Sequence, residues 1–196
     1  MDRKKIEVKY NQFANRIEKI KKHFDFTPGI DGLTALQNDK IRGFVLLCHA
    51  EIESYLEELA LLLIDDAHLK WRNSHKANYN LASLFIDAER IEKNETALTK
   101  SEQIIFDYRS KVEKNNHGIR EKNIKSLFCP LGYKIDDFDA SFIATLDSFG
   151  TDRGKVAHSA ARTSYMYDKQ TEYERIDSIV TGIRDFQEIL VLKVNR

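Results

Sequence analysis

The sequence predicts an all-α protein, folded as a single-domain bundle of about six to seven helices. The chain has 196 residues, a length that suits one domain. It has only 8 glycines and 2 prolines, about 5% of its residues against about 12% in average proteins, too few for the tight turns of an all-β fold. Apolar residues recur at steps of three and four along most of the chain, which is the period of a helix.

The first segment carries one apolar stripe that predicts an N-terminal helix. The stripe runs through Ile6, Tyr10, Phe13, Ile17, Ile20 and Phe24, with lysines and glutamates on the other side. Thr27, Pro28 and Gly29 then break the pattern. We therefore expect residues 1–37 to form a helix and loop packed on the bundle, and residues 38–196 to form the helical domain itself.

The second segment predicts a long central helix over about residues 38–65. Its stripe repeats the same steps through Ile41, Val45, Cys48, Ile52, Tyr55, Leu59 and Leu62. Phe44, Leu46 and Leu47 make the first half apolar on every side. A helix of this kind belongs in the centre of a bundle.

Weaker patterns predict the remaining helices. Apolar residues at 81–91 and 104–112 mark two of them, joined by a polar connection over residues 92–99, and a short third helix covers about residues 121–128. A fourth begins near Phe138 and ends at Gly150, and the last begins near Thr171. The acidic cluster before the fourth (Asp136, Asp137, Asp139) is interpreted as helix capping rather than as a cation site.

Composition and charge exclude several classes of protein. Lys plus Arg and Asp plus Glu are both 31, so the net charge of zero argues against nucleic-acid binding over the whole surface but permits a local basic site. The longest apolar run, residues 59–64, is too short to span a membrane, and the N-terminus lacks the apolar stretch of a secretory signal. Cys48 and Cys129 form no CxxC pair and are interpreted as buried core residues. A cytoplasmic location is expected.

Familiar cofactor and metal motifs do not occur in the sequence. It contains no GxGxxG, no GxxxxGK[ST] and no HExxH, and we expect no cofactor and no bound metal. His49 and Glu53, four residues apart, share one face of the central helix, which suits either a buried polar pair or two metal ligands. Of these two interpretations, the polar pair is favoured. Arg42 and His49 are nearly aligned but two turns apart, too far to hold one phosphate together.

The most informative stretch is residues 148–159, which contains Arg153 and His158. Five residues correspond to about 140° of rotation on an ideal helix, so two mid-helix side chains at this spacing diverge. They converge if Thr151 and Asp152 cap a helix that begins there, with Arg153 at its irregular start. Taken alone, the spacing is weak as a signal of function.

Several segments, in this order, resemble the HEPN domain in the branch associated with ribonucleases and prokaryotic defence. LCHAEIESYL (residues 47–56) resembles the first long core helix of that branch, and NHGIR, NI and LFCPLG within residues 116–132 resemble its connecting segment. DSFGTDRGKVAHS (residues 147–159) resembles the family signature, an arginine followed four to six residues later by a histidine. The resemblance covers about residues 38–193. It departs from the family at Gly154, where Asn, Asp or His is usual.

The resemblance implies metal-independent endoribonuclease activity of the toxin or antiphage-defence type, with attack by the ribose 2′-OH giving a 2′,3′-cyclic phosphate. Arg153 would bind the phosphate, helped by N–H groups of a helix N-terminus near residues 151–154, and His158 would transfer protons. Supporting residues would be Lys155, Arg162, Glu53, Arg120 and Tyr165.

The resemblance also implies partners and leaves an alternative function. RNA would be the substrate, a homodimer would bring two motifs to a shared cleft, and an antitoxin or another defence protein is a further partner. Family members with a degraded motif are non-catalytic, so the alternative is a HEPN-like module that binds RNA, a nucleotide or a protein. An unrelated helical bundle with a purely structural role is a third possibility.

Overall fold

A computed structural model of the chain describes residues 3–27, 32–88, 97–158 and 168–194. These residues form seven α-helices and one short 3₁₀ helix at Ile135–Asp137, so the predicted all-α fold is confirmed. The α-helices are α1 (Arg3–Phe24), α2 (Ala35–Ser74), α3 (Tyr79–Asp87), α4 (Ala97–Asn115), α5 (Glu121–Phe128), α6 (Ala140–His158) and α7 (Lys169–Val194). None of the described helices is long and apolar enough to cross a membrane.

Helix α2 is the centre of the bundle and packs against each of the other six helices. It begins with a capping box, in which the Gln37 backbone N–H donates to Thr34 Oγ1 at 3.2 Å and the Thr34 N–H donates to Gln37 Oε1 at 2.9 Å. It ends at Ser74, where His75 adopts φ 56°. The predicted bounds, residues 38–65, are too narrow at both ends. At the N-terminal end, the capping residue precedes the first residue of the apolar stripe. At the C-terminal end, the helix continues past the stripe, with Ala67 and Trp71 as its remaining core contacts.

The first half of α2 is not buried on every side as predicted. Phe44 and Val45 are fully buried, but Leu47 is 40% exposed. Leu47 lies between the face toward α1, where Glu51 pairs with Arg16, and the face toward α6, where His49 lies. One strip of α2 beside the α1 contact therefore remains at the surface.

Helix α1 packs on α2 and α7 with the predicted stripe. The residues of that stripe from Ile6 to Ile20 join the common core, and Phe24 is half-buried. The hydroxyl of Tyr10 donates to the carbonyl of Val180 at 3.2 Å, which ties α1 to α7. The division of the chain at residue 37 stays a prediction.

Helix α6 differs most from the prediction. It was expected to end at Gly150 and to be followed by a new helix capped by Thr151 and Asp152, but it is continuous from Ala140 to His158. Gly150 serves close packing instead, because a Cβ there would lie 2.8 Å from Arg120 Cγ. The Thr151 hydroxyl donates to the carbonyl of Asp147 at 2.8 Å, one turn back, and caps no helix start.

The structure confirms the predicted helix cap in the acidic cluster, but it confirms the predicted burial of only one of the two cysteines. Asp139 caps α6 by accepting the Phe142 N–H at 2.8 Å, as predicted. Asp137 accepts the Lys134 N–H at 2.6 Å, and the described residues include no group of three or more that is suited to a metal ion. Cys48 is buried, but the prediction was wrong for Cys129, which follows the last residue of α5 and is exposed.

Candidate functional site

Arg153 lies exposed on the C-terminal part of α6. None of the described residues accepts a hydrogen bond from its guanidinium or forms an ion pair with it. Its neighbour Lys155 is also exposed, but its ammonium donates to Asp152 at 2.9 Å. Arg153 therefore presents an unneutralised positive charge to solvent.

The turn of α6 before Arg153 is held by Arg175 of α7. The Arg175 guanidinium donates to Asp152 Oδ2 at 3.0 Å and to Ser148 Oγ at 2.6 Å, and it lies over the Phe149 ring, 5.2 Å from the centroid. Partial burial opposes ionisation of Asp152, but hydrogen bonds from Lys155 and Arg175 outweigh it and lower the pKa of Asp152. The backbone that carries Arg153 is thus fixed to α7.

His49 of α2 lies beside Phe149, the residue whose ring Arg175 covers. It is only 2% exposed, and its ring centroid is 6.0 Å from that of Phe149. Burial and, to a smaller extent, the charge of Arg153 lower the pKa of His49 to about 4, so the imidazole is uncharged at neutral pH. His49 is therefore a neutral, buried polar group within the field of Arg153.

The predicted pairing of His49 with Glu53 is only half right. Both side chains share the α6 face of α2, and Nδ1 of His49 lies 3.5 Å from Glu53 Oε2. The prediction that they satisfy each other is wrong, because Nδ1 has no hydrogen-bond partner among the described residues. The i, i+4 spacing identified the pair, but its contact with α6 had no signal in the sequence.

Arg120 lies beside the same part of α6. It is the residue before α5, and its Nε donates to Asp147 Oδ1 at 3.3 Å, while the Glu121 N–H donates to the same oxygen at 3.1 Å. Its side chain packs against Gly150, one turn before Arg153. Of the supporting residues predicted from the sequence, Arg120 and Lys155 therefore adjoin the segment that carries Arg153, and Glu53 lies beside His49.

The second predicted catalytic residue, His158, is the last residue of α6. Its side chain lies outside the described part of the structure, and so do Arg162 and Tyr165. Because the helix is continuous, positions 153 and 158 are about 140° apart around its axis. The predicted helix start at residues 151–154, with free N–H groups for an anion, is wrong.

Gly154, the residue after Arg153, has free space where a side chain would lie. A Cβ at Gly154 would meet no atom within 4 Å, whereas one at Gly150 would crowd Arg120. Gly154→Ala is expected to raise the free energy of unfolding by about 0.5–1 kcal/mol, because glycine is a poor helix former and the space is free. Gly150→Ala, the matched control on the same helix, is expected to lower it. Urea denaturation measures both, and equal signs would show that α6 packs differently.

One known family matches nearly the whole chain. A family model described as RiboL-PSP-HEPN matches residues 11–195, from the middle of α1 to the end of α7. No match was found among curated proteins or among solved structures. The match extends over every helix of the all-α bundle, and it includes the α2–α6 contact and Arg153. The chain belongs to the RiboL-PSP-HEPN family of HEPN domains.

Proposed function

We propose that the protein is a metal-independent endoribonuclease. The observation that carries this proposal is the exposed Arg153, which has no ion-pair partner among the described residues and stands where the HEPN resemblance puts the motif arginine. An arginine engaged in an internal salt bridge would have to break it before binding a phosphate, and Arg153 has none to break within the part of the chain that the structure describes. Membership of a HEPN family supports RNA as the substrate.

The proposed reaction needs proton transfer and a cation at the phosphate. The ribose 2′-OH loses its proton to a base and attacks the adjacent phosphorus, and the bond from phosphorus to the 5′-oxygen breaks as that oxygen takes up a proton. Arg153 suits the non-bridging oxygens, since its guanidinium donates two parallel hydrogen bonds. His158 suits the proton transfer, because the ordinary pKa of histidine lies close to neutrality. Lys155 and Arg162 would contact flanking phosphates.

The arrangement on α6 gives a physical reason for a homodimer. Positions 153 and 158 point about 140° apart on a continuous helix, so one chain does not readily direct both side chains at one phosphate. A second copy facing the first across a shared cleft would supply the missing group, as HEPN domains often do. A cytoplasmic location, and an antitoxin or another defence protein as partner, belong to the same proposal.

Sedimentation equilibrium tests the assembly. At micromolar concentration the mass is expected to be near twice that of the monomer, because the shared cleft requires two chains. Arg153→Gln and His158→Ala chains, mixed and allowed to exchange, are then expected to regain cleavage that neither has alone. A strict monomer with and without RNA would contradict the shared cleft.

A cleavage assay in excess EDTA tests the activity. Single-stranded RNA is expected to be cut, while the same sequence with 2′-O-methyl groups is expected to stay intact, because it lacks the nucleophile. Equal cutting of both substrates would refute the proposed chemistry. The methylated RNA also provides a ligand that binds without reacting.

A non-catalytic binding module is the second candidate. It is favoured by Gly154, since the family usually has a polar residue after the motif arginine. A side chain at Gly154 would meet open space, so Gly154→Asn is expected to fold, and its assay reports chemistry rather than stability. Binding of RNA without cleavage by both wild type and Gly154→Asn would favour the module.

A further inference from the structure

The side chain of Arg120 lies against α6, one turn before Arg153. A Cβ at Gly150 would lie 2.8 Å from Arg120 Cγ and 3.5 Å from the Arg120 backbone nitrogen, so both the main chain and the stem of Arg120 rest on that helix. Arg120 is also the N-cap residue of α5, and its carbonyl accepts the Asn123 N–H at 2.8 Å. The start of this side chain is therefore fixed to two helices.

Asp147 of α6 holds one nitrogen of the Arg120 guanidinium. Its Oδ1 accepts a hydrogen bond from Arg120 Nε at 3.3 Å and another from the Glu121 N–H at 3.1 Å, so Asp147 caps α5 and orients Arg120 at the same time. Pairs of arginine and carboxylate are frequently bidentate, but this one uses Nε alone. The terminal N–H groups of Arg120 meet no acceptor among the described residues.

Helix geometry places Arg120 and Arg153 beside neighbouring turns of α6. Residues three apart on a helix have Cβ atoms about 5–6 Å apart, so the Cβ of Arg153 lies within about 9 Å of Arg120 Cγ. Asp147, which holds Nε, precedes Arg153 by more than one turn, about 9 Å along the helix axis. The two guanidiniums are therefore near each other but are anchored at different heights, which suits two successive phosphates of one strand better than one shared phosphate.

The carboxylates on this stretch of α6 do not neutralise Arg153. Asp147 is paired with Arg120, and Asp152 is paired with Lys155. Arg153 has no ion-pair partner in the described part of the chain. Together with Arg120, residues 147–155 thus contribute more positive than negative charges, and a surplus of positive charge attracts a polyanion.

We propose that Arg120 is a second phosphate-binding residue: its terminal N–H groups bind the phosphate next to the one on Arg153, so that an RNA strand runs along this part of α6. Asp147 restrains Nε, which reduces the rotamer freedom that Arg120 loses when the phosphate binds. A guanidinium suits this task because it donates two parallel hydrogen bonds to a phosphate. The inference rests on the proposed function, because it takes RNA as the ligand of Arg153.

Binding of single-stranded 2′-O-methyl RNA tests this role of Arg120. Arg120→Gln is expected to weaken binding about tenfold, the effect of losing hydrogen bonds to a charged group. It is also expected to reduce the salt dependence, because one phosphate contact to a single strand contributes about 0.7 to the slope of log K against log salt concentration. An unchanged salt slope in Arg120→Gln would overturn the proposal.

Arg109→Gln is the matched control for Arg120→Gln. The Arg109 side chain is 40% exposed, against 45% for Arg120, and it also pairs with an aspartate of another helix, Asp65. Asp65 lies about 24 Å along α2 from His49, the residue that meets α6. Equal losses of RNA binding in the two variants would indicate a general effect of charge and would overturn the proposal.

Asp147→Asn distinguishes phosphate binding from a structural role of the ion pair. The asparagine oxygen still accepts both hydrogen bonds while the negative charge is lost, so RNA is expected to bind as tightly as to wild type or more tightly. If Arg120 served only its pair with Asp147, then Asp147→Asn would weaken binding as much as Arg120→Gln does, which would overturn the proposal. Thermal melts check that both variants are folded. Arg120→Lys replaces Arg120→Gln if the latter unfolds, and it is also expected to bind RNA less tightly than wild type.

Short 2′-O-methyl oligonucleotides distinguish neighbouring phosphates from a shared one. A trinucleotide has two phosphates and a dinucleotide has one, and NMR titration measures the binding of both. Arg120→Gln is expected to weaken binding of the trinucleotide but not of the dinucleotide, whereas Arg153→Gln weakens both. Equal losses for both ligands in Arg120→Gln would overturn the proposal. If wild type binds no RNA, the proposed function and this inference fail together, but if Arg120→Gln binds RNA like wild type, this inference alone fails.

Discussion

His158→Ala is expected to lower the rate of RNA cleavage by a factor of about 10²–10⁴, the range typical for loss of a general acid–base group. His158 is the last residue of α6, so the variant is expected to keep the thermal stability of wild type. Cleavage rates in EDTA and thermal melts, measured on the same preparations, separate a catalytic role from a structural one. Unchanged cleavage in His158→Ala would mean that another site or a contaminant cuts the RNA.

Arg153 provides the companion measurement. Arg153→Lys keeps the charge but loses the two-pronged donor geometry, and it is expected to be damaging as well. Arg72→Gln is the matched control, since it also removes an exposed arginine but lies ~35 Å along α2 from His49, at the usual rise per residue. Equal losses in Arg153→Lys and Arg72→Gln would indicate a general effect of charge rather than a site at α6.

Leu56→Ala is expected to lower the free energy of unfolding by about 2–5 kcal/mol, because it leaves a cavity in the core beside the middle of α2. Leu56 is fully buried, whereas Leu36, in the first turn of the same helix, is 69% exposed. Leu36→Ala is therefore the control, with an expected change within about 0.5 kcal/mol. Urea denaturation at one fixed protein concentration measures both. A change below half a kcal/mol for Leu56→Ala would show that the core lies elsewhere.

Local sequence patterns predicted the structure correctly where the pattern lies within one helix. The stripe of α1 predicted the buried residues from Ile6 to Ile20. Helix α5 lies at residues 121–128 as predicted, because the turn at residues 129–132, which contains Pro130 and Gly132, ends it. The prediction that a helix ends at Gly150 was wrong for a physical reason. A glycine that ends a helix and a glycine that admits a neighbouring chain look alike in sequence, and only the closeness of Arg120 distinguishes them.

Features that depend on contacts between helices could not be predicted from the sequence. His49 and Phe149 are 100 residues apart, and no periodicity within α2 or α6 indicates that their rings meet. The exposure of Leu47 and Cys129 likewise depends on which neighbours cover α2 and α5. The family resemblance singled out Arg153, but only the structure shows that it has no ion-pair partner among the described residues and that His49 is buried and neutral.

The chemistry of the cut RNA ends tests the central claim most directly. Mass spectrometry of fragments made by the wild-type protein in excess EDTA is expected to find a 2′,3′-cyclic phosphate on one side of each cut and a 5′-OH on the other. These ends are expected because, in the proposed reaction, the ribose 2′-OH is the nucleophile and no metal-bound water takes part. Fragments with 3′-OH and 5′-phosphate ends, or RNA left intact, would contradict the proposed function.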